Sequence, residues 1–199
     1  MTGVEADPGG ERKLIVDAAL RVMRQNGYAA AQISDILGEA HLSTRAFYRH
    51  FQSKDDLLLA LFHDNAESTS RQLTARVLAA GAPPAQLDAW VDEILSLGYD
   101  RRRARRAALF GSEAARRTAG YAEANRRAER ALIAPLLEVL RAGRETGAFP
   151  AAEPDVDART IYALVWRFAT EGMAGTPTIP REEARRQVQR LVLPALGVM

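Results

Sequence analysis

A chain of 199 residues, 47% hydrophobic and 26% charged, can bury a real core and has the make-up of a folded globular protein. A formal net charge of only +2 excludes a protein that coats nucleic acid by bulk charge, so any DNA contact has to come from a local basic patch. The absence of cysteine excludes disulfides, thiol catalysis and cysteine-based zinc fingers, and fits the reducing cytoplasm in which the chain is expected to work.

Residues 1–10 combine Gly and Pro with two acids and no apolar run, which reads as a flexible tail and not a signal peptide. From there the apolar pattern is helical throughout, with no convincing strict alternation, and predicts an all-α fold. The first helix covers about 11–26, where Leu14/Ile15, Ala18/Ala19 and Val22/Met23 recur at helical spacing and Gly27 supplies a stop. The second spans 33–40 with Ile33, Ile36, Leu37 and Ala40 inward. The third is short, 44–50, capped by Ser43. The fourth runs long, about 54–80, entered through Ser53-Lys-Asp-Asp56 with the spacing of a capping box. Gly81-Ala-Pro-Pro84 ends it. Five more helices follow at about 85–99, 101–118, 121–146, 154–172 and 181–196. No stretch of about 18 apolar residues is present to cross a membrane.

The second and third helices, joined by Ala40-His41-Leu42-Ser43, have the proportions of a helix-turn-helix, whose second helix lies in the major groove of DNA. Thr44, Arg45, Tyr48 and Arg49 fall at i, i+1, i+4 and i+5 and share one face, while Phe47 and Phe51 anchor the other. Arg45, near the helix N-terminus, is placed to read guanine O6 and N7. Thr44 and Tyr48 can donate to phosphates, and Lys54 sits where the next helix begins and a phosphate can also be met.

Gly27-Tyr28, the 33–40 helix, and then Ser43-x-x-x-Phe-Tyr-x-His-Phe51-x-x-Lys54-x-x-Leu57-Leu58 resemble the TetR family of bacterial one-component regulators. The motif covers about 11–62, and the nine-helix layout extends the likeness as a pattern over the rest. The resemblance implies a three-helix DNA-binding domain at 11–53 and a helical-bundle domain for ligand binding and dimerisation at 54–199. It implies a DNA-facing set of Ser43, Thr44, Arg45, Ala46, Tyr48, Arg49, His50 and Lys54. Tyr48 and Lys54 match phosphate-contact positions, and His50 matches a supporting His. Three departures stand out. Ala30-Ala31-Gln32 has no hydroxyl where the family often has Thr before the second helix, His41 stands where Gly is frequent in the turn, and Arg45 replaces a small residue.

By the same resemblance the partners are a near-palindromic double-stranded operator, a small-molecule effector and a second copy of the chain. Ile161, Leu164, Val165 and Phe168 on one late helix, and Val188, Leu191, Val192 and Ala195 on the last, make two apolar faces. These suit either a four-helix dimer interface or ordinary intrachain core. Trp90, Tyr99, Phe110, Tyr121, Tyr162 and Trp166 are candidates to line a ligand pocket, or simply core aromatics. The run Arg101-Arg-Arg-Ala-Arg-Arg106 reads first as a solvated face.

Nothing in the pattern is catalytic. His41, His50 and His63 are not at metal-ligand spacing, and no Gly-rich phosphate loop or nucleophile elbow occurs, so no enzyme, cofactor or metal site is expected. The expected function is a ligand-responsive repressor. The alternative is a helical ligand-binding or scaffolding protein whose helix-turn-helix has lost DNA binding, for which the alanines before the second helix are the support.

Overall fold

A computed structural model describes residues 8–198, and every regular element among them is helical. The expected tail at 1–10 falls partly outside this range, and its last residues, Pro8–Gly10, open the first helix. The helices are α1 (Pro8–Ala30), α2 (Ile33–Ala40), α3 (Thr44–His50), α4 (Lys54–Ala79), α5 (Pro83–Tyr99), α6 (Arg101–Gly111), α7 (Glu113–Arg116), α8 (Tyr121–Glu145), α9 (Pro154–Met173) and α10 (Arg181–Ala195). Two compact units result. The first holds the chain to Asn65 together with Leu109–Ala124, and the second holds Ala66–Ala108 with everything from Asn125. The boundary expected at residue 53 therefore gives way to a discontinuous first unit, because Leu57, Leu58, Leu61, Leu109, Phe110 and Ala115 are all buried in its core.

In the first unit, α1 buries Ile15, Ala18, Ala19, Val22 and Met23 on one stripe, while Leu14 sits off that stripe and is 48% exposed. At Gly27 the backbone turns to φ 78°, ψ 160°, a region open essentially to Gly alone, and this kinks α1 before Tyr28 enters the core. The end of α2 is a Schellman motif. The His41 N–H donates to the Gly38 carbonyl, the Leu42 N–H to the Leu37 carbonyl, and His41 itself is left-handed at φ 55°, ψ 40°. His41 thus adopts at this turn the left-handed backbone that favours the Gly frequent there in the family. The entry to α4 is capped reciprocally, with one shift from expectation. Ser53 Oγ accepts the Asp56 N–H, and the Asp56 carboxylate accepts the N–H of Gln52 and not that of Ser53.

The helix expected over 101–118 is two helices. Ser112 is extended (φ −64°, ψ 152°) and its hydroxyl caps the short α7 through the Ala115 N–H. Phe110 and Tyr121 both stack on Phe62, with ring centroids at 5.3 Å and 5.6 Å, inside the first unit.

In the second unit, α5 begins at the two prolines expected to act as breakers, since Pro suits the first helical positions, where its missing N–H costs nothing. Its buried face (Leu87, Trp90, Val91, Ile94, Leu95) packs with those of α8, α9 and α10. The α5 and α9 backbones touch. A methyl group on Gly98 would lie 2.1 Å from the Ala169 carbonyl oxygen, and one on Gly172 would lie 2.6 Å from the carbonyl oxygen of Gly98.

Candidate nucleic-acid interface

The seven residues of α3 are held by their ends and by one face. Ser43 Oγ accepts the Ala46 N–H at 3.2 Å, and Phe47 and Phe51 are buried. That leaves Ser43, Thr44, Arg45, Tyr48 and Arg49 exposed together on the opposite side. Tyr48 is 59% exposed, its ring standing edge-on to Phe47 at 5.4 Å, so a large amphipathic side chain is displayed instead of buried. Arg45 makes no ion pair among the described residues. Ala46 does not join this surface. It is 2% exposed.

Arg49 and His50 converge on an acid from α1. One Arg49 guanidinium nitrogen, Nη2, donates to both carboxylate oxygens of Glu11 at 2.7 Å, and His50 Nε2 lies 3.2 Å from Oε2. Glu11 is buried, and the Arg49 hydrogen bond, followed by that of His50, holds its carboxyl below the usual range. His50 thus supports the helix from within, and Arg49 stands half in the solvent with one donor tethered.

Lys54 is placed differently from expectation. Its Nζ donates to the carbonyl oxygens of Tyr28 (3.1 Å), Ala29 (3.3 Å) and Ala31 (3.0 Å), and it lies 4.7 Å from the Tyr28 ring centre. An ammonium has three N–H donors, and in this structure all three are engaged by backbone, so Lys54 caps the end of α1. Beside it the Tyr28 hydroxyl donates to Asp55. Burial first, then that hydrogen bond, push the phenol up to about 12. The start of α2 lacks a hydroxyl cap, as expected, but the Asp35 carboxylate accepts the Gln32 N–H at 3.2 Å and stabilises that end. The cap missing with the alanines before α2 is thus supplied by Asp35.

Sequence reasoning gave Glu11 and Asp55 no role and Tyr28 none beyond its place in the motif. The signal for Glu11 was available: it falls four before Ile15 and seven before Ala18, in the buried register of α1.

The second unit separates the remaining candidates. Phe110 and Tyr121 belong to the first unit's core with Phe62, so they leave the proposed ligand set. Trp90 is fully buried, its indole N–H donating to the Leu132 carbonyl at 2.9 Å, and the Tyr99 hydroxyl donates to the Ile179 carbonyl. Tyr162 stacks on Trp166 at 5.4 Å and meets Trp90 edge-on at 6.5 Å. Of the two faces offered for dimerisation, Ile161, Val165, Val188 and Val192 are core within their own chain, each 6% exposed or less. Leu164 and Phe168 are partly buried, and Leu191 (56% exposed) and Ala195 look outward.

The second unit also holds an ionic cluster that no sequence pattern announced. Glu93, 2% exposed, is bound by Arg103 Nη2 at 2.6 Å and Arg76 Nη1 at 2.5 Å, and Arg103 reaches Ser96 Oγ as well. Burial alone would raise the Glu93 carboxyl, but Arg103 and then Arg76 overcome it and leave the group below its ordinary value.

The sequence profile of bacterial regulatory proteins of the tetR family matches residues 15–61, and that of the BetI-type transcriptional repressor C-terminal domain matches 83–196. The chain belongs to the TetR family. The TetR family is one of transcriptional regulators, which are not enzymes. The HTH-type transcriptional regulator BetI of Agrobacterium fabrum (strain C58 / ATCC 33970) is 35% identical over 80 residues, 40% of this chain and 39% of that protein. The chain matches less than half the length of its curated relatives. Among solved structures, a TetR transcription regulator from Haloarcula marismortui superposes with a TM-score of 0.77 at 22% identity, covering 92% of this TetR-family chain and 96% of that one. FadR of Bacillus subtilis in complex with stearoyl-CoA does so with a TM-score of 0.73 at 17% identity, covering 92% and 98%. At such identities the likeness is one of fold.

Proposed function

We propose that this TetR-family chain is a cytoplasmic dimeric repressor released from its operator by a small molecule. Two copies of α3 enter successive major grooves of a near-palindromic site, about one turn (~34–36 Å) apart. The observation that carries this reading is the α3 surface. Five polar residues, Ser43, Thr44, Arg45, Tyr48 and Arg49, are exposed together on a helix anchored by Phe47 and Phe51. Arg45 reads a base edge, and Thr44, Tyr48 and Arg49 hold the phosphates.

Dimerisation is supported by apolar side chains left uncovered on the last two helices, chiefly Val156 (59% exposed) and Leu191 (56% exposed), beside the partly covered Leu164 and Phe168. The effector enters the second unit, where Tyr99, Trp90, Tyr162 and Trp166 are the aromatic candidates. Ligand and operator oppose each other with a coupling of ~1–3 kcal/mol, the same in both directions.

Selection from a random duplex pool, repeated with Arg45→Ala, tests the DNA reading. The variant should relax one base position per half-site at a cost of about 1–3 kcal/mol. Unchanged preference would remove Arg45 as a reader. Sedimentation of wild type and Leu191→Glu tests the dimer, which the variant should break. A thermal-shift screen that includes acyl-CoA esters, followed by a gel shift with each hit, tests the sensor. Hits that stabilise the protein yet leave operator binding untouched at saturation would refute it.

A further inference from the structure

The carboxylate of Glu11 is the unusual group at this surface. An acid beside a helix that meets DNA opposes binding by charge, yet this one is buried at 8% exposure, and its oxygens face Arg49 and His50 on the last turn of α3. Arg49 binds both oxygens through the single nitrogen Nη2. Its Nε and Nη1 have no acceptor among the described residues, and its side chain is 52% exposed. A free arginine on a helix surface samples many rotamers, and ordering it on binding lowers affinity. Here one end of the guanidinium is already fixed and the rest stays open to solvent. Lys54, a further cation foreseen at the interface, has its donors on the carbonyls of Tyr28, Ala29 and Ala31 and is not pre-ordered in this way.

We propose that Glu11 is a positioning residue for DNA recognition: it pre-orders the Arg49 guanidinium so that Nε and Nη1 are presented to a backbone phosphate at the edge of the groove. This rests on the reading of α3 as the DNA-contacting helix. Glu11 itself touches no DNA. Its contribution is orientation, so it alters affinity without altering how many phosphates are neutralised.

The test uses the full chain and the duplex that the wild type selects from a random pool, with affinity measured over a salt series. Arg49→Ala should weaken binding and lower the slope of log affinity against log salt by about 0.9 for each phosphate that is no longer neutralised. Glu11→Asp keeps the charge but draws the carboxylate back by one methylene. It should weaken binding roughly tenfold at fixed salt with the slope unchanged. It should add nothing once Arg49 is Ala. Arg49→Lys, which leaves Glu11 intact, should likewise keep the slope and lose affinity, and it serves as the second reading if Glu11→Asp melts early. Glu11→Asp binding as tightly as wild type, or weakening the Arg49→Ala background equally, would overturn the positioning role alone. If Arg49→Ala leaves both affinity and slope untouched, the Arg49 contact falls and the proposal with it. The Arg45 and Tyr48 assignments then stand or fall on their own variants.

Discussion

The ammonium of Lys54 lies 3.0 Å from the Ala31 carbonyl oxygen, so the first residue of α4 closes the end of α1 immediately before α2 begins. A cation in that place looks, in sequence, like a phosphate ligand. Its three backbone acceptors make it a structural tie. Lys54→Met is therefore expected to lower stability by about 2 kcal/mol, as the loss of charged hydrogen bonds does. The salt slope of operator binding should stay at the wild-type value. A slope reduced by about one per chain, with melting unchanged, would restore the phosphate role.

Two turn positions in the first unit should respond to substitution with opposite signs. Gly27 has φ 78°, ψ 160°, and a methyl group there would meet nothing within 4 Å, so Gly27→Ala costs backbone strain alone, about 1–3 kcal/mol. His41 occupies the left-handed C′ position of α2, where Gly is preferred, and His41→Gly should stabilise by roughly 0.5–1 kcal/mol. Urea unfolding of the two variants measures both, and equal signs would contradict the backbone account.

Glu93 links stability to pH. Its carboxyl is depressed in the folded chain, so the stabilisation it gives is fully present above the unfolded value, about 4.3 for an ordinary Glu, and is lost as pH falls through the folded one. Glu93→Gln should cost about 1.5–3 kcal/mol at pH 7, because the charge-assisted hydrogen bonds from Arg103 and Arg76 are weakened. The variant should also lose less stability than wild type between pH 5 and pH 3. Parallel acid-unfolding curves would show that Glu93 is not the group responsible.

Where α5 and α9 cross, there is no room for a methyl group. Gly98→Ala would drive a Cβ to 2.1 Å from the Ala169 carbonyl oxygen, and backbone cannot yield as a side chain tip can. The helices must separate, at a cost of about 3 kcal/mol or more. Expression, solubility and melting of Gly98→Ala and Gly172→Ala check this. Wild-type melting in either would mean the helices do not meet so closely.

Local signals account for what the sequence made legible. The bounds of α2 and α3 follow from Ser43, the apolar spacing of Ile36, Leu37 and Ala40, and the Phe47–Phe51 pair, all within a few residues of one another. The long-range pairings were not legible. Glu11 meets Arg49 across 38 residues, and Lys54 meets the Tyr28 carbonyl across 26. An arginine has the same composition whether it pairs with an acid or faces solvent, and a lysine whose partners are backbone carbonyls leaves no side-chain pattern to detect. The residues grouped as apolar faces of α9 and α10 divide in the structure between buried and exposed positions. Periodicity could not tell their inner rows, Ile161, Val165, Val188 and Val192, from the outward Leu191, because both rows are apolar.

Phe62 stacks on both Phe110 and Tyr121, so the module that carries the helix-turn-helix is assembled from two stretches separated by more than forty residues of chain. During synthesis its hydrophobic centre stays incomplete until Tyr121 has left the ribosome, long after α3 has emerged. A nascent chain released early, or a fragment cut after residue 65, would expose Phe62 to water and to chaperones. Completion of the core beneath the helix-turn-helix is thereby tied to translation past residue 121.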